Sequence, residues 1–222
     1  MKRLPVGALP AVLAAMTAYG AGFAALSILR HRAFATGRFD LGNMVQAVWW
    51  TAHGHPLQMT NLHGQQISRL AAHVDPILAV FGPLWWIWPS ADLLLVVQAL
   101  AIASGAWPLY LVARKHLGSS RAALGFAIAY LLYPATGWLT LNEFHPVALA
   151  TPLLLFAFRY LDDDRLVAFA LCAIAAAACK EEIGLVVAGF GIWYALSHRR
   201  GLAGLAIAIL GFAWAAIAIG VV

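Results

Sequence analysis

Long apolar stretches with no charged side chains dominate this chain and restrict it to a membrane fold. The last of them, residues 202–222, is apolar to its final residue. Charged residues make up 10% of the 222 residues, and the mean hydropathy is +0.82, whereas about 25% of the residues of a soluble domain are charged. Because so few charges cannot cover a water-facing surface, lipid must solvate most of the chain. The sequence therefore predicts an all-α, polytopic transmembrane helical bundle.

Seven apolar stretches are predicted to span the membrane, although two of them, 166–179 and 183–196, are short for a bilayer. The first follows Lys2 and Arg3, which place the N-terminus in the cytoplasm under the positive-inside rule. It is too long for a signal peptide, so we expect an uncleaved multi-pass protein of the plasma membrane. The predicted spans cover residues 4–29, 93–113, 122–141, 147–158, 166–179, 183–196 and 202–222.

Residues 30–90 form the longest polar segment and are predicted to be an extracytoplasmic loop with interfacial helices. Residues 41–52 have the pattern of an amphipathic helix suited to the membrane surface. Residues 76–88 leave two alternatives open: a short tilted span, or a surface or re-entrant helix. Their three tryptophans favour the interface. If this stretch does not cross, nine of the 14 Lys and Arg residues lie inside, so we prefer that topology.

The chain is predicted to form one transmembrane domain, residues 1–222. Its predicted partner is membrane lipid. Because it ends inside an apolar run, we expect it to be the N-terminal part of a longer module. The net charge of +5 does not indicate nucleic-acid binding, since most Lys and Arg residues flank apolar runs rather than forming one basic stripe.

The preferred topology gathers ionisable side chains at the outer face. Such groups cost roughly 2.5–3.5 kcal/mol each at the centre of a membrane helix and are functional by default. They occupy the 30–90 loop and two later turns, 142–146 and 180–182, and the candidate site residues among them are Asp40, Arg69, His73, Asp75, Glu143, His145, Lys180, Glu181 and Glu182.

Structural roles compete with functional ones at several of these positions. Asp40 precedes the predicted helix 41–52, where it could act as an N-cap, as a catalytic group or as both. The turn 142–146 could be a polar hairpin, and Lys180 could neutralise a neighbouring glutamate. A simple turn needs Gly, Asn or Pro rather than a Glu and a His flanking a Phe, as in 142–146. Three adjacent charges between apolar runs, as in 180–182, also cost too much for a simple turn, so we favour function for both segments. Asp162 to Asp164 have the pattern of a solvated cytoplasmic turn.

Five motifs occur in an order that resembles a family of uncharacterised polytopic membrane proteins, domain of unknown function 2079. That family is itself similar to the GT-C glycosyltransferases, which use lipid-phosphate sugars. The resemblance covers nearly the whole chain and is carried by Phe39-Asp40-Leu41-Gly42-Asn43, Gln46-Ala47-Val48-Trp49, His73-Val74-Asp75-Pro76, Glu143-Phe144-His145-Pro146 and Lys180-Glu181-Glu182-Ile183-Gly184.

The resemblance to GT-C enzymes implies an Asp on the first extracytoplasmic loop near the acceptor, for which Asp40 is the match. It also implies a Lys near the donor phosphate, for which Lys180 is the match. Such enzymes typically have Gly after that Lys, where this chain has Glu181. Glu143 and His145 match the uncharacterised family's own motif.

The resulting hypothesis is a membrane glycosyltransferase that takes a sugar from a polyprenyl-phosphate donor. Asp40 would serve as general base, with Glu143 as a second catalytic residue. Lys180, with Arg69 or Arg38, would hold the leaving phosphate. The alternative is a transporter or flippase-like protein with a polar path lined by Lys180, Glu181 and Glu182.

A divalent metal is a further hypothesis. His73, Asp75, Glu143 and His145 offer the mixed His and carboxylate ligands that suit Mn or Zn. Their spacing does not match a diagnostic helical metal motif.

Overall fold

The computed structural model describes residues 8–37 and 39–222, and these residues are mostly helical. The helices are α1 Leu9–Arg32, α2 Phe39–Ala52, α3 Phe81–Trp85, α4 Ala91–Ser104, α5 Ala106–Leu117, α6 Ser120–Leu132, α7 Pro134–Leu141, α8 Pro146–Asp162, α9 Leu166–Ala177, α10 Ile183–Ser197 and α11 Gly201–Val221. Two short strands, β1 Gln58–Thr60 and β2 Gln66–Ser68, pair as an antiparallel hairpin. Apart from this small hairpin, the described residues agree with the all-α prediction.

Among the described residues, three helical stretches are long and apolar enough to cross a membrane: Leu9–Arg32, Ala91–Leu117 and Gly201–Gly220. Helices α6 and α7 make a fourth if they are taken as one span, which bends by 44°. Tyr133, at the break, is extended because the following Pro134 disfavours helical backbone before it. The coarse prediction of a helical membrane protein is confirmed. Residues 1–7, with Lys2, Arg3 and the start of the first predicted span, lie outside the described residues.

An ion pair places both ends of the long polar segment at one end of the bundle. Arg32, at the end of α1, contacts Asp92 in the first turn of α4 with 2.8 Å between guanidinium nitrogen and carboxylate oxygen. The two helices pack along each other, with Gly20 against Leu100 and Ala103. The chain from residue 33 to residue 90 therefore returns to the end of the bundle that it left.

The stretch that begins at Pro76 is a short helix rather than a span. Residues Pro76–Val80 form a 3-10 helix that continues into α3, ten residues in all. Leu78, Phe81 and Trp85 are buried in the same core as α2. A ten-residue helix is too short to cross a bilayer. Of the two alternatives for this stretch, the surface or re-entrant helix is the one that the fold favours.

The opposite end of the bundle is held together by the turn after α8. Asp162 accepts from His116 and pairs with Lys115, both at the end of α5. Asp164 pairs with Arg200, just before α11. Asp162 and Asp164 therefore hold the ends of α5, α8 and α11 together, at the end of the bundle away from the long polar segment.

Helices α10 and α11 approach so closely that their facing positions must be small. A side chain at Gly191 would meet the backbone of Ala208 and Gly204. One at Gly184 would meet the backbone of Gly211. Small residues allow helix backbones to approach in this way in membranes. The contact joins the two last helices into one unit.

Candidate functional site

The candidate residues form two groups at one end of the bundle. The first is Asp40, Glu143 and His145; the second is Arg69, His73, Asp75, Lys180, Glu181 and Glu182. Phe144 of the first group's turn stacks edge-on against Phe81, 5.7 Å between ring centroids. Phe144, Phe81 and Cys179, next to Lys180, belong to one buried core. The two groups are therefore supported by the same packing, although the predicted residues do not form a single cluster.

Asp40 and His145 form the pair at the centre of the first group. His145 Nε2 lies 3.6 Å from Asp40 Oδ2. The Asp40 side chain is 56% exposed and that of His145 is 27% exposed, so solvent and a ligand can reach the carboxylate. Helix α2 begins at Phe39, so Asp40 lies inside the first turn. The expectation of Asp40 as N-cap is not met, because the helix starts two residues earlier than predicted.

Glu143 supplies the capping contact to α2. Its Oε2 accepts a hydrogen bond from the backbone N–H of Leu41 at 3.0 Å, and a carboxylate at a helix N-terminus is favourable. Glu143 has a positive φ of 58°, a left-handed backbone that non-glycine residues rarely adopt. Its carboxylate lies where any side chain at Gly37 would be. Glu143 therefore joins the turn 142–145 to the start of α2.

A cavity of about 920 Å³ opens beside this group. The ends of three elements form its walls: the C-terminal end of α1, the connection to α2 with its first two turns, and the start of α4. Its lining residues include His31, Arg32, Thr36, Gly37 and Leu41, and Leu41 follows Asp40 directly. The cavity is large enough for a small-molecule ligand, and cationic and hydroxyl groups lie along its apolar wall.

In the second group, Glu181 ties the turn before α10 to the segment before Pro76. Its carboxylate contacts His73 Nδ1 at 3.0 Å and accepts from the backbone N–H of Val74 at 3.1 Å. Burial raises the pKa of Glu181, but hydrogen bonds from its own backbone N–H, from His73 and from Val74 outweigh burial and hold the pKa below its ordinary value. Glu181 is therefore a charged link between the two segments.

Arg69 and Asp75 form a buried ion pair. Arg69 Nε and a terminal nitrogen donate to Asp75 at 2.8–3.2 Å. Arg69 is 5% exposed and Asp75 is 2% exposed. The remaining Arg69 contact is the sulfur of Met59, on β1. The pair anchors the β-hairpin to the segment before Pro76, and it leaves Arg69 little surface for a ligand.

Lys180 is the accessible cation of the second group. Its Nζ lies 2.8 Å from Glu182 Oε1, and the side chains are 34% and 45% exposed. Exposed ion pairs of this kind contribute little free energy, so an anionic ligand can compete with Glu182. Two residues before Lys180, Ala178 lines an apolar groove of about 670 Å³ between α9, α10 and α11.

Sequence reasoning missed Gln98, which organises the turn 142–145 from α4. Its side chain is fully buried, and its Oε1 accepts from the backbone N–H of His145 at 2.8 Å. A glutamine inside an apolar predicted span was the available signal, because a buried amide must find partners.

No support for the metal hypothesis comes from residues 8–37 and 39–222. Among them, no three His, Cys, Asp or Glu side chains lie close enough together to hold a metal ion. Arg38 falls outside the described residues. The cysteines, Cys172 and Cys179, are free thiols.

Helices long and apolar enough to span a bilayer, with polar turns gathered at one end, define a polytopic helical membrane protein. Residues 30–222 match the family model "Predicted membrane protein (DUF2079)", and the chain belongs to that family. Comparison with curated proteins and with solved structures found no match.

Proposed function

We propose that this protein is a membrane glycosyltransferase that uses a polyprenyl-phosphate sugar at the extracytoplasmic face. The observation that carries the proposal is the exposed Asp40 carboxylate, 3.6 Å from His145 Nε2, beside a cavity of about 920 Å³. In the proposed orientation the N-terminus is cytoplasmic, seven helical segments cross the plasma membrane, and residues 30–90 face outward.

Asp40 is the general base of the proposed reaction. The acceptor hydroxyl gives its proton to the Asp40 carboxylate while its oxygen bonds to the anomeric carbon of the sugar. His145 faces one carboxylate oxygen and orients it, so the other remains open to the acceptor. Glu143 acts through the backbone, because its contact with Leu41 N–H fixes the first turn of α2.

The leaving group is the polyprenyl phosphate. As the bond from the anomeric carbon to the phosphate oxygen breaks, the phosphate keeps the electron pair, and a cation lowers the energy of that charge. Lys180 is the candidate, since its exposed pair with Glu182 is readily exchanged for a phosphate. Arg69 contributes by holding Asp75 and its neighbour His73 in place.

The apolar groove offers a place for the lipid chain. Its walls include Phe169, Ala173 and Trp214, and it ends near Lys180. A chain lying there would bring its phosphate to the turn 180–182. The proposal thus assigns the second group to the donor phosphate and the first group to the acceptor.

A second candidate is a transporter, favoured by the 44° break between α6 and α7. Discontinuous helices form substrate sites in many transporters, and Thr136 and Thr140 are buried beside this break. Lys180, Glu181 and Glu182, however, lie together in one turn at one end of the bundle rather than along its length.

The test is sugar transfer by the full chain in liposomes, supplied with a panel of polyprenyl-phosphate hexoses and scored by release of polyprenyl phosphate. Asp40→Asn should lower kcat by about 10²–10⁴, the range of a lost general base. Lys180→Ala should mainly raise KM for the donor. Asp163→Asn, which removes an acid at the opposite end of the bundle, is the matched control and should keep full activity.

Release by Asp40→Asn at the wild-type rate would overturn the proposed base. Uptake of a solute into the same liposomes, without release of polyprenyl phosphate from any donor, would favour the transporter.

A further inference from the structure

One buried amide in α4 holds the whole turn that carries Glu143 and His145. Gln98 Nε2 donates to the carbonyls of Leu139 at 3.0 Å and Thr140 at 3.3 Å, and also to the carbonyl of Glu143. Its Oε1 accepts from the N–H of His145. The amide of one side chain therefore donates to, and accepts from, backbone groups within one stretch of seven residues, 139–145.

These contacts lie where two helices leave their backbone groups without partners. Helix α7 ends at Leu141 and α8 begins at Pro146 with His145 as its N-cap. The last carbonyls of a helix have no partner within it. Gln98 satisfies two carbonyls of α7 and the N–H of His145, the N-cap of α8. It fixes the distance and direction between the two helix ends.

Gln98 also binds the backbone directly after the left-handed Cα of Glu143. Such a conformation persists only when its surroundings determine it. The carbonyl of Glu143 is bound by Nε2, and the N–H of His145, two residues on, is bound by Oε1. With the backbone held, the Glu143 carboxylate reaches Leu41 N–H and the His145 ring reaches Asp40.

We propose that Gln98 is a positioning residue that acts through Glu143 and His145 to set them against the first turn of α2. The chemical use of the Asp40–His145 pair rests on the proposed function. The positioning itself does not, because it concerns only where the turn lies relative to α2.

The test measures that position directly by crosslinking. Asp40→Cys and His145→Cys are introduced together in the full chain with Cys172→Ser and Cys179→Ser, and membranes are treated with a short bis-maleimide. Gln98→Leu should lower the crosslink yield about fivefold, the population change expected from losing buried hydrogen bonds. Ser27→Ala removes one buried hydrogen bond to Thr140 without touching residues 142–145, and its yield should match that of the parent chain.

Gln98→Glu separates positioning from a general loss of folding. A buried glutamate donates a hydrogen bond only when it is protonated. The crosslink yield of Gln98→Glu should therefore rise as the pH falls, when it is divided by the yield of Ser27→Ala at the same pH. Gln98→Leu should show no such rise. Yields in Gln98→Leu and Gln98→Glu equal to that of Ser27→Ala at every pH would overturn the proposal. Absence of sugar transfer by the wild-type chain, together with the predicted crosslink yields in the cysteine chain, would count against the proposed function alone.

Discussion

Glu143 Oε2 accepts a hydrogen bond from the backbone N–H of Leu41 across 102 positions of sequence. The contact joins the turn between α7 and α8 to the first turn of α2, where Asp40 lies. Glu143 makes this hydrogen bond from a left-handed backbone with φ of 58°. The helix-capping contact and the backbone strain therefore occur at the same residue, and different substitutions at Glu143 can separate their effects on stability.

Glu143→Ala should destabilise the protein by about 1–2 kcal/mol, the cost of losing a helix cap. Glu143→Gly loses the same cap, but glycine adopts the left-handed backbone without the penalty of about 1 kcal/mol that other residues carry there. We therefore expect Gly to be less destabilising than Ala at this position. Thermal unfolding in detergent measures both, and a larger loss for Gly than for Ala would contradict the account.

The sequence predicted the helices well because lipid solvation leaves a strong signal. Each predicted span corresponds to helix in the residues that the structure describes, and the helix over 41–52 is α2. The β-hairpin was missed because its strands, such as Gln58–Thr60, have only three residues and are too short to show a periodic pattern in the sequence. The break before Pro134 was also missed, although proline in an apolar run is a known helix breaker.

The candidate site was predicted only in part, because pairing across distant positions has no sequence signal. The motifs lie in segments that the fold brings to one end of the bundle, and Asp40 faces His145 there. The sequence could not show that Arg69 and Asp75 bind each other in the core, nor that Gln98 reaches the turn 142–145. Both depend on packing between elements, which single-residue patterns do not record.

The Arg69–Asp75 pair should behave as a buried ion pair. Arg69→Met or Asp75→Leu alone should cost about 3–5 kcal/mol, because each leaves an unpaired buried charge. The double substitution should recover much of that loss. Unfolding of the four proteins in one double-mutant cycle gives the coupling, and simple additivity of the two losses would show that the side chains do not depend on each other.

The contact between α10 and α11 predicts opposite effects at two neighbouring glycines. At Gly191 an added methyl meets the backbone of Ala208, whereas at Gly189 it meets nothing within 4 Å. Gly191→Ala should destabilise by about 1–3 kcal/mol through overpacking. Gly189→Ala should be neutral or stabilising by up to about 1 kcal/mol, as expected for a helix interior. Thermal unfolding compares the two, and equal effects would refute the close approach.

Glu181 makes the stability depend on pH in a defined direction. Hydrogen bonds from its own backbone N–H, from His73 and from Val74 hold its pKa in the folded protein below the ordinary value of 4.5. The stabilisation is therefore fully present above about pH 4.5 and is lost as the pH falls through the folded-state pKa. Glu181→Gln should be less stable than the wild type at pH 7, with the difference shrinking below pH 4.5. A difference that stays constant from pH 7 to pH 3 would rule out this role.

Accessibility to a membrane-impermeant thiol reagent shows whether the two groups of candidate residues face the extracytoplasmic side, as we propose. Single cysteines would replace His63, Glu182 or Ser197 in a chain with Cys172→Ser and Cys179→Ser. A cysteine at position 144 would not report accessibility, because the Phe144 side chain is fully buried. In intact cells, we predict labelling at positions 63 and 182, and labelling at 197 only after permeabilisation. Labelling at 197 with protection at 63 and 182 would place the candidate site in the cytoplasm and contradict the account.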